Sequence, residues 1–431
     1  MIFLAVSTTA LLLTGFSTSD AFHLAIVSSS PSLSSSTTTR LNAESRRDFL
    51  QSAVTTAATS IPFLLTPNPS LATAAEEGAA ATVATSTSSL SLGGQIELPP
   101  LGLGAWSWGD SLFWGYNKKN DDELKQVFDY AIENSPSSVT LLDTAELYGL
   151  GRSETLIGQF SEKYQNDPNT KIEVATKFAP YPFRTKPESV LKACEASVKR
   201  LGGRPIDLYQ IHFPNAYCNA EYWDGLAMAY DKGLVKAVGV SNYGVDAVRA
   251  CHSALAKRGI QLATNQIQLS LLYRYPIENG LLQACEDLGV KVLSYSPLAL
   301  GMLTGKYTAD SPPSGPRKGV FEKLNTSPDY QNLLSTMKDV AAGHSGSSDD
   351  DIIPISQVAL NWARAKNTIP IPGARTLSQV QKNYGALSWN LTPQEMKVLD
   401  QAAAKVTTFN KPTDTPFPKV DKDTGLIMYD S

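Results

Sequence analysis

The sequence is poor in the residues that usually announce a metal or disulfide protein. It holds four cysteines, Cys194, Cys218, Cys251 and Cys285, with no C-x-x-C pair and no histidine at ligand spacing. Neither a disulfide framework nor a structural metal site is expected. Three of the cysteines sit in helix-like stretches (KACEAS, RACHSA, QACEDL), where a thiol ordinarily serves as a small buried apolar group. Net charge is low as well, −4 over 431 residues, which leaves no general attraction to nucleic acid or anionic lipid. The apolar run at residues 2–16 falls short of the roughly 18–20 residues of a membrane span. The stretch Gly102-Leu103-Gly104-Ala105-Trp106-Ser107 lacks the third glycine and the helix start of a dinucleotide fingerprint, so a doubly wound open sheet is disfavoured.

What is present divides into three parts. Residues 1–95 are rich in Ser, Thr and Ala, poor in acids, and read as a targeting presequence. A short apolar run has the shape of a signal peptide, and a hydroxylated stretch with Arg40 has transit-peptide composition. A third element, Arg46-Arg47 before a mild apolar segment ending at Leu71-Ala72-Thr73-Ala74, has the form of a twin-arginine signal. The order resembles plastid import in algae with secondary plastids, with stroma and thylakoid lumen both open as destinations. Residues 96–408 read as one folded domain and 409–431 as a tail.

Within the folded part, Gln95-Ile96-Glu97-Leu98 reads as a strand of a capping hairpin. Eight strand-like runs then alternate with amphipathic helical stretches: LGLGAW, VTLLDT, IEVATKF, IDLYQIHF, VKAVGVSN, TNQIQLS, VKVLSYSPL and TIPIPG. Eight βα units in this length predict an α/β fold, a (β/α)8 TIM barrel, with a long loop from Tyr307 to Asp351 after the seventh strand.

Active sites of such barrels lie at the C-terminal ends of the strands. Asp143, Lys177 and His212 end the second, third and fourth predicted strands, each about one βα unit from the next, and Tyr148 lies in the loop just past Asp143. An acid, a base, a phenol and an imidazole in one place suit reduction of a carbonyl, which needs a proton donor for the developing alkoxide. A neighbouring ammonium would lower the phenol's pKa, and a carboxylate would keep that ammonium charged. Taken singly, each residue also fits a packing or ion-pair role, and a strand-end lysine also fits a Schiff-base aldolase.

The local sequences Leu141-Leu142-Asp143-Thr144-Ala145-Glu146-Leu147-Tyr148-Gly149, Ala175-Thr176-Lys177-Phe178 and Gln210-Ile211-His212-Phe213-Pro214 closely resemble the aldo-keto reductase superfamily. Gly239-Val240-Ser241-Asn242, Tyr295-Ser296-Pro297-Leu298 and Ile371-Pro372-Gly373-Ala374-Arg375 extend the resemblance over nearly the whole folded part. The stretch Gly104–Asp110 looks most like plant chloroplast members. The resemblance implies NADPH as cofactor and a small carbonyl compound as substrate, with Asp143, Tyr148, Lys177 and His212 catalytic. It further implies that Ser241, Asn242 and Gln266 hold the nicotinamide carboxamide and that Tyr295 stacks on the ring. Ser296, Leu298 and Gly301 would meet the pyrophosphate, and Gly373, Arg375, Gln379 and Asn383 the adenosine phosphate. Arg375 is the natural grip for a 2′-phosphate, because a guanidinium binds phosphate bidentately. Gln379 and Lys382 depart from the family's usual Arg and Glu, which leaves the preference over NADH open.

Trp106, Trp108 and Trp114 follow the first strand and are expected to wall an apolar substrate pocket. A pyridoxal reductase is a narrower form of this reading. A cofactor-sensing binding subunit with little turnover, as some barrel relatives are, is the rival from a different class. Oligomeric state is not legible.

Overall fold

A computed structural model describes residues 90–92, 95–215, 217–348 and 352–410. The import signals expected in residues 1–89 and the tail beyond Asn410 lie outside the described residues. The expected barrel is present. Its eight parallel strands run in chain order: β3 (Leu103–Gly104), β4 (Val139–Asp143), β5 (Lys171–Phe178), β6 (Ile206–Ile211), β7 (Val235–Ser241), β8 (Leu262–Gln268), β9 (Lys291–Tyr295) and β10 (Ile369–Pro370). The ring closes where Gly102 N and Gly104 N donate to the carbonyls of Pro370 and Pro372, each at 3.0 Å. Closure depends on glycine here, since a Cβ on Gly104 would meet Ile371 O at 2.8 Å. Helices such as Asp121–Glu133, Pro187–Arg200 and Ile355–Ala365 follow strands and pack outside the ring.

Side chains two residues apart on a strand share a face. That period sorts the sequence into a barrel interior and an outer layer. Leu141, Ala175, Leu208, Ala237, Ala263 and Leu293 fill the interior, while Leu142, Val174, Tyr209 and Val240 pack outward against helices. An antiparallel hairpin, β1 (Leu90–Leu92) and β2 (Ile96–Leu98), closes the N-terminal end, sending Ile96 and Leu98 into the same interior cluster. Its first strand lies upstream of residue 96, where the sequence placed the start of the fold.

One expectation is corrected. Most of the segment from Tyr307 to Asp351 is not loop: it forms helices Arg317–Asn325 and Pro328–His344. Tyr330, Leu333, Leu334, Met337, Val340 and Ala341 recur at helical spacing and build a second core with helices Ile355–Ala365 and Pro393–Lys405. Ser327 caps the longer helix through Tyr330 N, and Pro328 starts it. Among the described residues no helix is long and apolar enough to cross a membrane.

Candidate active site

The strand period carries the expected residues inward. Asp143 shares the face of Leu141, Lys177 that of Ala175, and His212 continues that of Leu208. At the C-terminal mouth Lys177 Nζ, 0% exposed, contacts Asp143 Oδ1 at 2.8 Å, Asp143 Oδ2 at 2.7 Å and the Thr144 carbonyl at 2.8 Å. Its next neighbour is the Tyr148 hydroxyl at 3.4 Å. From the opposite side of the ring, Gln266 Nε2 on β8 donates to Asp143 Oδ1 at 2.6 Å. Burial raises Asp143 and lowers Lys177 in pKa, and each partner opposes that shift in the other. With every ammonium proton supplied with an oxygen acceptor, the pair is held as ions.

Tyr148 reaches the pair because the chain turns sharply after it. Gly149, Leu150 and Gly151 are all left-handed, with φ of 55°, 54° and 88°, before helix Arg152–Ser161 begins. Gly149 also passes so close to the loop after β3 that a Cβ would lie 2.5 Å from the Gly109 backbone. The phenol's expected acidity is not what the structure has. Burial first, then the Asp143 charge and Tyr295, hold its pKa well above the ordinary value. Tyr148 is therefore a protonated phenol at neutral pH.

His212 is positioned by its backbone N–H, which donates to Phe178 O at 2.9 Å, and by its carbonyl, which accepts from Asn242 Nδ2 at 3.1 Å. Its ring stacks on Phe213 and meets the Tyr148 ring edge-on at 5.8 Å. Burial, then Lys177, pushes its pKa well below the usual value, so the imidazole is neutral. Its Nδ1 is buried with no hydrogen-bond partner among the described residues.

The residues expected to hold a nicotinamide line the adjacent strand ends. Asn242 adopts φ 63° and links Ser241 Oγ at 3.0 Å to the Tyr295 hydroxyl, which donates to Asn242 Oδ1 at 2.8 Å. Ser241 Oγ donates to Gln266 O at 2.9 Å. Beyond Tyr295, Ser296, Ala299, Leu300 and Gly301 are left-handed, and Leu298 begins the turn that contains the last three. Gly373 pairs with Gly104 at the barrel seam, and Asn383 Nδ2 donates to Gly373 O at 3.4 Å. Arg375 N donates to Gln379 Oε1 at 2.8 Å, just before helix Leu377–Tyr384, whose cap is Thr376.

The tryptophans separate. Trp106 lies beside the site, its ring 6.4 Å from that of Tyr148, with Phe113 stacked on it at 5.0 Å and Trp114 edge-on at 5.3 Å. Trp108 does not line the mouth. It is fully buried in the outer core against Phe160, and its Nε1 donates to Ala374 O at 2.8 Å. The chain has left the strand by then and turns, Trp108 N bonding Ala105 O, so strand alternation no longer applies. Sequence reasoning missed two partners: the amide of Gln266 on Asp143, and Arg317, whose Cζ lies 5.0 Å from the Trp114 ring centroid.

Comparison with known proteins identifies the family. The family model described as "Aldo/keto reductase family" matches residues 100–404. The chain is 40% identical over 320 residues to a chloroplastic pyridoxal reductase of Arabidopsis thaliana, covering 72% of this chain and 84% of that protein. Among solved structures, a glycerol dehydrogenase from Gluconobacter oxydans superposes with a TM-score of 0.62 at 26% identity, covering 78% of this chain and 98% of its own. An aldo-keto reductase from Klebsiella pneumoniae, solved in complex with NADPH, shares the fold with a TM-score of 0.57 at 23% identity, over 80% and 100% of the two chains. The chain belongs to the aldo/keto reductase family and is an oxidoreductase.

Proposed function

We propose that the protein reduces an aldehyde or ketone with NADPH, with Tyr148 as the proton donor. The observation that carries this reading is the contact of one buried ammonium, Lys177 Nζ, with both Asp143 oxygens and, at 3.4 Å, with the Tyr148 hydroxyl. When bound, NADPH supplies a hydride to the carbonyl carbon. The chain's own residues supply the proton and the geometry. Tyr148 gives its phenolic proton to the carbonyl oxygen as the C=O π bond becomes C–H and O–H. The phenolate left behind faces the Lys177 ammonium until solvent returns a proton. Neutral His212, with an unpartnered ring nitrogen, fits a ligand oxygen. Proton transfer from a high-pKa phenol needs the charge that develops on the oxygen, which ties it to hydride arrival.

Several features fit a dinucleotide phosphate. Four left-handed residues between Ser296 and Gly301 fold the chain after β9 into a tight turn, a backbone form that suits anions. Arg375 precedes a capped helix start and lacks a carboxylate partner at ion-pair distance among the described residues. Ser241, Asn242 and Gln266 would hold the carboxamide and Tyr295 the ring face. A Schiff-base role for Lys177 is disfavoured, because its three protons are held by three oxygens.

Pyridoxal is a second, narrower substrate reading, favoured by the 40% identical relative of that name. That relative is chloroplastic, which also supports a plastid setting. The Trp106, Phe113 and Trp114 rings beside Tyr148 would take a planar or apolar carbonyl compound. The test is NADPH oxidation across a panel of aldehydes, quinones and pyridoxal. Turnover is expected to fall ~100- to 10,000-fold in Tyr148→Phe, with cofactor binding retained. Full turnover in that variant would refute the mechanism, and no turnover of any carbonyl would favour a binding subunit.

A further inference from the structure

Ala179 needs a hydrogen-bond acceptor that the strand ladder does not supply. Strand β5 ends at Phe178, and the next backbone N–H belongs to Ala179, which is 3% exposed. A buried N–H past the end of a ladder must find its partner elsewhere. Glu146 provides it: Ala179 N donates to Glu146 Oε1 at 2.7 Å. Arg184 Nη1 donates to the same oxygen at 2.5 Å and to the Ala179 carbonyl at 3.1 Å. The Arg184 guanidinium lies over the Tyr181 ring at 4.9 Å and the Phe178 ring at 5.3 Å. Its own carbonyl accepts from the Tyr222 hydroxyl at 2.8 Å. The Glu146 side chain is 10% exposed, so these charge-assisted bonds are largely shielded from water.

This clasp falls between the reacting groups. Ala179 is two residues past Lys177, and Glu146 is two residues before Tyr148. Thr144 N and Glu146 N continue the pairing with β5, donating to Ala175 O at 2.8 Å and to Lys177 O at 3.4 Å. The second of these bonds is long, and the Glu146 side chain extends the same pairing one step further. Tyr148 N then donates to Ala145 O at 3.0 Å, so the turn that carries the phenol starts from the clasped stretch. The Tyr148 hydroxyl stands 3.4 Å from Lys177 Nζ, longer than an ordinary hydrogen bond. Its place is set by where this loop delivers it.

We infer that Glu146, clasped by Arg184, is a positioning residue for the reduction: it fixes the separation of the Tyr148 hydroxyl and the Lys177 ammonium. It acts through the two loops that it joins. The inference rests on the reading of Tyr148 as proton donor and names what holds that donor in range. Proton transfer tolerates little error of placement, and a shift of about 1 Å can cost ~100-fold in rate. The phenolate left after transfer also needs the ammonium close by, since their attraction weakens with distance.

The test is a double-mutant cycle on NADPH oxidation by benzaldehyde and pyridoxal. It uses Glu146→Ala, Glu146→Gln, Tyr148→Phe and the double variant Glu146→Ala with Tyr148→Phe. Glu146→Ala is expected to lower kcat ~10- to 100-fold. KM for the carbonyl compound, and NADPH affinity read by fluorescence quenching, are expected to stay within about twofold. Glu146→Gln keeps an oxygen acceptor for Ala179 N and is expected to recover part of kcat. In the Tyr148→Phe background the Glu146→Ala loss is expected to shrink to under about twofold, because Glu146 acts through the phenol. An equal loss in both backgrounds, or a loss confined to KM, would overturn the inference and leave Glu146 a support of the loop. Unchanged kcat in Glu146→Ala beside a large loss in Tyr148→Phe also overturns it, while the proton-donor reading stands. Full turnover in Tyr148→Phe removes both. If Glu146→Ala does not fold, Arg184→Ala carries the same cycle with Tyr148→Phe, and the same outcomes decide.

Discussion

Buried carboxylates occupy both ends of the barrel, and their partners differ. At the mouth, Asp143 is paired with Lys177, whose side chain is 0% exposed. At the floor, Glu173 and Asp207 are equally buried, at 1% each, but their cations stand in solvent: Lys171 is 43% exposed, Arg204 31% and Lys236 44%. The floor acids also bind backbone N–H groups, Glu97 N on Glu173 at 3.1 Å and Val174 N on Asp207 at 2.8 Å, so they fasten the hairpin and strand β5. One end spends its charge on holding the chain. The other seals an ion pair from water beside a phenol and an imidazole, where a fixed charge acts in a low dielectric.

If this contrast is right, removing a cation should matter far more at the mouth than at the floor. Lys177→Met leaves Asp143 buried with only Gln266 as a partner. The expected cost is ~3–5 kcal/mol of folding stability, measured by urea unfolding, together with loss of carbonyl reduction. Asp143→Asn in the Lys177→Met background should recover stability without recovering turnover. A Lys177→Met protein that unfolds at the wild-type urea concentration would break the distinction.

How far the sequence could carry this varies with the reach of each signal. Asp143, Lys177 and His212 were legible because two local rules place them: strand alternation and the length of one βα unit. Trp108 was misplaced because following the first strand was taken to put it at the mouth, whereas the strand ends at Gly104 and a turn sends the indole outward. Arg317 stayed hidden inside a segment read as loop, although Ser327-Pro328 and the spacing of Tyr330, Leu333, Leu334 and Met337 are a helix start and an apolar face. Gln266 on Asp143 joins residues 123 apart across the ring, a contact no local pattern encodes. The same holds for phenol acidity, which depends on burial and on the charges gathered around the hydroxyl.

A smaller effect should appear at the floor as pH changes. Burial, followed by the Asp207 charge, raises the Glu173 pKa from its ordinary value to about 7. The folded protein therefore binds a proton at Glu173 that the unfolded chain has released, between the ordinary carboxylate range and about pH 7. By linkage, this site's contribution declines as pH rises through that window and is flat on either side. Glu173→Gln keeps the acceptor for Glu97 N and removes the titration. The variant is expected to gain about 2–4 °C in Tm over the wild type at pH 8 relative to pH 5. Equal differences at both pH values would mean that Lys171 holds Glu173 ionised throughout.

The smallest effect belongs to the exposed floor cations. Lys236 Nζ lies 2.6 Å from Asp207 Oδ1, yet Arg204 and Val174 N also hold that carboxylate, and water reaches Lys236. Lys236→Met should cost under about 1 kcal/mol, with the difference shrinking further in high salt. Turnover should not change, since the ion-pair partner of Lys236 among the described residues is Asp207 at the floor, at the other end of the barrel from Tyr148. Urea unfolding at low and high ionic strength reads the first expectation, and NADPH oxidation reads the second. A loss as large as that of Lys177→Met would mean that exposure of the cation does not separate the two ends, and that the floor pair is as sealed as the one at the mouth.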